Sequence, residues 1–164
     1  MNNAAIAMRD SRRAAALPTV LSAGALAAAL DLLFAFTYYG VRNGIGPLRI
    51  LQTIGSGVLG PAAFDGGVAS AALGLFCHFF ILIVAAWLFF VAARHVPLLT
   101  RHAFASGIAY GVAIYLVMNF IVVPLSNAPH FKRSAINTIA ELGSHLFFVG
   151  LAISWLVRRH FRGA

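Results

Sequence analysis

Acidic residues are nearly missing from this sequence: 4 Asp and Glu stand against 12 Lys and Arg in 164 residues. Charged residues of every kind make up only 10% of the chain, where a water-soluble domain carries about a quarter. A protein folding in water could not cover its surface with so few polar groups. Cysteine is scarce as well. The one thiol, Cys77, lies inside an apolar run and excludes an internal disulfide. No His-x-x-x-His pair occurs, and no Ser-His-Asp or Cys-His set of the kind used in nucleophilic catalysis can be assembled. The formal charge of +8 raises the question of nucleic acid. The basic residues, however, fall in short clusters between apolar runs, and no hydrophilic surface is left to read a groove. A nucleic-acid partner is not expected.

Hydrophobicity is what the chain has, at 61% of residues. It is gathered into four runs: 17–39, 69–93, 103–124 and 136–157. Each is near the ~20 residues that cross about 30 Å of hydrocarbon at 1.5 Å per residue. Lipid offers the backbone no partners, so a spanning segment of this kind must be helical. The expected fold is all-α: one transmembrane domain over 1–164, built as a four-helix bundle in a lipid bilayer. Arg9, Arg12 and Arg13 ahead of the first run resemble a signal peptide, but run 17–39 exceeds the roughly 7–15 residues of a signal core. A retained first span is expected.

Basic residues set the expected orientation. Arg9, Arg12, Arg13, Arg94, Arg101, Arg158, Arg159 and Arg162 fall on one side, against Arg42, Arg49, Lys132 and Arg133 on the other. The excess belongs inside, which puts both termini in the cytoplasm. Tyr38, Tyr39, Trp87 and Trp155 lie toward run ends, as interfacial anchors do.

The linker 40–67 is long for a bundle. Pro47 suits the first turn of a helix, and Leu48, Leu51, Ile54 and Val58 follow at helical spacing. The spacing predicts a short amphipathic helix over about 47–60, on or dipping into the outer face. The run Gly55-Ser56-Gly57-Val58-Leu59-Gly60 matches Gly-x-Gly-x-x-Gly. With no strand before it and no βαβ unit around it, close backbone packing or a turn is the better account than a dinucleotide site. Gly107 and Gly111, and Gly24 and Ala28, have the four-residue spacing of close helix contacts.

Two of the four acids, Asp31 and Glu141, fall within spans, together with His78, His145, Tyr115 and Asn119. Ionisable groups in hydrocarbon cost several kcal/mol unless paired. Counted from the cytoplasmic ends at 1.5 Å per residue, Asp31, His78, Tyr115 and His145 lie roughly 18–23 Å deep. Asn119 and Glu141 come at about 24 Å. All four spans thus carry a polar group at one level. Asp31, His78, Glu141 and His145 are expected to form a buried cluster, with Tyr115 and Asn119 behind it. Glu141 and His145 share a helix face and suit proton transfer. The four also make a conceivable divalent-metal set, since bundle-core metal sites draw Glu and His from facing helices. Simpler readings stand beside these. Thr138 to Glu141 fits a capping box. Asp31 could be a structural partner of His78 or His145, and Asn119 a tie between helices.

From the second span on, a pattern accumulates. It includes His78, a basic loop with Pro97, a Gly-rich span ending in Pro124-Leu125, the stretch Ala140-Glu141-Leu142-Gly143-Ser144-His145-Leu146, and Arg158-Arg159 at the close. It resembles small bacterial inner-membrane proteins of the YagU-like kind, mainly over residues 68–162. The resemblance implies an inner-membrane location and carries no activity. Two functions follow as expectations. One is proton-linked transport or ion or metal binding at the polar cluster. The other is a structural or accessory role, as a homo-oligomer or a subunit of a larger membrane complex.

Overall fold

The computed structural model describes residues 16–129 and 134–162. Arg9, Arg12, Arg13, His130, Lys132 and Arg133 lie outside the described residues. Four helices are long and apolar enough to cross a membrane. Span one is Ala16–Asn43, span two Gly67–His95, span three Ala103–Leu125 and span four Ala135–Arg162. No strand is present among the described residues. Each helix runs past its apolar run, because the backbone ladder continues for as long as nothing interrupts it. Span four begins on Ser134, whose hydroxyl accepts the Asn137 N–H at 3.2 Å. The cap therefore lies four residues before Thr138, and the capping box at Thr138 and Glu141 is not formed.

Span one packs on spans two and four, and span three packs on span four. The core between spans one, two and four is apolar and fine-grained, with Ala23, Ala27, Ala86, Phe89, Val149 and Ile153 among its buried members. Lipid provides no hydrophobic drive for helices to associate, so close backbone packing does the holding. The glycines show it directly. A Cβ at Gly150 would sit 2.0 Å from the Gly107 carbonyl oxygen, and one at Gly111 2.4 Å from that of His145. One at Gly24 would meet the Ile83 Cα at 2.5 Å. Both spacings singled out in the sequence are thus helix crossings. Spans three and four each widen by one turn of i→i+5 bonding, at Met118–Val122 and His145–Gly150. The first widening lies just ahead of Pro124, which has no N–H to return to the preceding turn.

A helix over Pro47–Leu59, with Pro47 in its first turn, joins spans one and two and continues as a tight turn over Gly60–Phe64. It is clamped to span two, where a Cβ on Gly74 would lie 1.9 Å from the Leu51 carbonyl oxygen. Gly74 is seven residues inside span two, or about 10 Å, so the helix sits against the flank of the span. Its far end is tied to span three by the Asn127 N–H, which donates to the Gly57 carbonyl at 3.0 Å, and by Asn127 Nδ2, which donates to the Val58 carbonyl at 2.9 Å. The Gly-rich run 55–60 is therefore a packing surface and a helix end, with Gly60 at φ +62°.

Candidate functional site

Asp31 lies in the middle of span one, about 18 Å from its Asn43 end at 1.5 Å per residue. Its carboxylate accepts the Ser144 hydroxyl of span four and faces the His78 imidazole of span two. The Nε2 of His78 lies 3.8 Å from Asp31 Oδ2, inside ion-pair range when the ring is protonated. The same Nε2 is 3.1 Å from the Ala28 carbonyl, to which its N–H donates. The side chains of His78 and Asp31 are 11% and 16% exposed. Three spans thus contribute one polar group each to a single point, and the imidazole is held by one carbonyl and one carboxylate.

Above it, span four carries a polar stripe. Asn137, Glu141 and Ser144 recur at i, i+4 and i+7 and so share one helix face. Each meets span one: Tyr38 donates to Asn137 Oδ1 at 3.0 Å, Tyr39 donates to Glu141 Oε1, and Ser144 donates to Asp31. His145 is anchored through Nδ1, 2.8 Å from the Glu141 carbonyl. Donation from Nδ1–H leaves Nε2 as the basic nitrogen of that ring. The Tyr115 ring of span three stands edge-on to the His145 ring with centroids 5.6 Å apart. His145 is within electrostatic range of His78.

The four expected site residues do not form one cluster. Asp31 and His78 meet, and His145 lies near them. The Glu141 carboxylate is engaged about one turn nearer the Asn43 end of span one, by Tyr39. Among the described residues, no three of His, Cys, Asp and Glu are placed to share a metal ion. The reason is geometric. Glu141 is directed to span one, and one nitrogen of His145 is committed to a backbone carbonyl. Tyr115 packs on the His145 ring. Asn119 returns on its own span, where Nδ2 donates to the Tyr115 carbonyl at 2.9 Å in the widened turn. Its amide thereby steadies the helix that carries Tyr115.

Sequence reasoning missed Ser144, Asn137 and the hydrogen bonds that Tyr38 and Tyr39 make to span four. The i, i+4, i+7 polar stripe on span four was the available signal. No protein-family model, curated protein or solved structure matches this chain.

Inward of Asp31 and His78 the same three spans present the apolar core, including Ala27, Leu82, Ala85, Ala86, Val149 and Ile153. The polar line is therefore one-sided. On the face between spans one and four its members are Tyr39 with Glu141 and, one turn along, Ser144 with Asp31 and His78.

Proposed function

We propose that this chain is a multi-pass integral protein of the bacterial inner membrane, with both termini cytoplasmic, whose Asp31–His78 pair binds and releases protons from the outer side. The observation that carries the reading is the Asp31 carboxylate, set between three spans with the Ser144 hydroxyl on it and an imidazole 3.8 Å away. A carboxylate at that depth is costly unless it is paired or protonated. The imidazole beside it supplies a second group able to hold the proton. Coupling such a pair to a conformational change would give proton-linked transport or pH sensing. The distribution of basic residues supports the orientation.

Infrared difference spectroscopy on the reconstituted protein between acid and neutral pH tests this. A carboxyl band should appear on acidification and be absent in Asp31→Asn, while Glu141→Gln should leave it in place. A wild-type spectrum with no carboxyl or imidazole change across that range would remove the proposal.

A second reading, that of an accessory subunit, is favoured by span three. Only 11% of the residues in its most apolar stretch are buried within the chain, and Phe104, Leu116 and Phe120 stand exposed on it. Such a face suits another helix, from a second copy or a larger complex. A lone monomer in mild detergent, measured by native mass, would speak against it.

A further inference from the structure

Beyond the polar line, the strongest concentration of charge among the described residues is at the end of span four. Trp155, Arg158, Arg159 and Arg162 line a surface cavity of about 570 Å³. On a helix at 100° per residue they fall within one sector of about 100°. The described acids are Asp31, Asp65 and Glu141, none of which belongs to the last turns of span four. The one ion pair among described residues is that of Asp31 with His78, so no described carboxylate pairs with these guanidiniums.

The patch is also held in a fixed direction. His160 and Phe161, between the arginines, turn the other way. The Thr19 hydroxyl and His160 Nδ1 are 3.1 Å apart, the rings of Phe90 and His160 are 5.0 Å apart, and those of Phe90 and Phe161 are 5.3 Å apart. Spans one and two therefore grip the back of the helix end and present its basic face outward. A binder whose charges are pre-oriented loses less freedom on engagement than loose side chains do.

Trp155 lies one helical turn, about 6 Å, toward the bundle centre from Arg159, and it is 53% exposed. An indole at that depth beside guanidiniums fits the boundary between hydrocarbon and headgroups. We propose that Trp155, Arg158, Arg159 and Arg162 form a binding site for an anionic phospholipid. The arginines take the phosphate by paired N–H donors, and Trp155 packs against the glycerol and upper acyl chains. This inference rests on the membrane placement of the helices and is independent of proton binding at Asp31.

The test uses the full chain with Trp87→Phe, which leaves Trp155 as the only tryptophan of the two in the sequence. The protein is reconstituted in phosphatidylcholine vesicles containing either brominated phosphatidylglycerol or brominated phosphatidylcholine. Trp155 should be quenched at a lower mole fraction by the anionic lipid. Each single Arg→Gln change should reduce that preference about five-fold, and Arg158→Gln/Arg159→Gln/Arg162→Gln together should abolish it. Arg42→Gln/Arg49→Gln, which removes charge at the opposite end, should not. Circular dichroism checks the helical content of each variant, and the single changes decide the matter if the triple variant does not fold. Equal quenching by both lipids overturns the proposal, as does equal loss in the Arg42/Arg49 variant. Reversal of the preference by excess inorganic phosphate, against chloride at equal ionic strength, would assign the arginines to soluble phosphate and overturn it too.

Discussion

Replacing Gly150 with alanine should unfasten span three from span four, because the added methyl has nowhere to go. Its Cβ would lie 2.0 Å from the Gly107 carbonyl oxygen, 2.7 Å from the Gly111 nitrogen and 2.9 Å from the Gly111 Cα. All three are backbone atoms, so no side chain can swing aside. To restore ordinary contact near 3.4 Å the helices must part by over an ångström at the crossing. Overpacking of this kind costs about 1–3 kcal/mol. The Ser154 hydroxyl, which donates across the same interface to the Ala103 carbonyl at 2.9 Å, would be stretched. A hydrogen bond between membrane helices is worth about 0.6 kcal/mol, so the total loss is about 2–4 kcal/mol. Three other glycines calibrate the experiment. Gly111→Ala also strikes backbone, at the His145 carbonyl and the Leu146 Cα, and should come close behind. Gly107→Ala first meets the Ser154 hydroxyl and a Leu151 methyl, which can yield, and should cost less. Gly143 has nothing within 4 Å, so its alanine variant should lose nothing. Equilibrium unfolding in mixed micelles of rising SDS content, followed by helicity, measures all four. The order Gly150, Gly111, Gly107, Gly143 is the prediction. A Gly150→Ala protein as stable as Gly143→Ala would refute the backbone-contact account of this bundle.

Ser144→Ala removes the hydroxyl from Asp31 and should shift the acid-induced carboxyl band while costing only about 0.6 kcal/mol in the same unfolding assay. Tyr39→Phe removes the hydrogen bond to Glu141, and the expected result is a shifted Glu141 carboxylate stretching band, absent in Tyr39→Phe/Glu141→Gln and read by the same infrared method. Gly74→Ala places a methyl 1.9 Å from the Leu51 carbonyl oxygen and should lift the Pro47–Leu59 helix from span two. Hydrogen exchange would then rise at amides 51–56 with little change in span four.

The spans could be read because hydrocarbon forces both length and secondary structure, so an apolar run of about 20 residues has one solution. Their ends could not, since the helices continue through Arg42 and Asn43, through His95 and through Arg162. Pro47 and the apolar spacing after it placed the connecting helix, while its clamp at Gly74 depended on a partner far along the chain. Depth counting brought out Asp31 and His78 for a physical reason, the expense of charge in lipid. It failed for Glu141 because an uncertainty of one turn, 5.4 Å, is the whole difference between meeting Asp31 and meeting Tyr39. Ser144 was passed over because serine in a helix ordinarily serves its own backbone.

The apolar packing inward of Asp31 makes this conformation a cul-de-sac. On the proposed reading, a proton that reaches the carboxylate in this conformation leaves by the way it came. For the protein to be a carrier, spans one and two would have to separate where Gly24 rests on the main chain of Ile83.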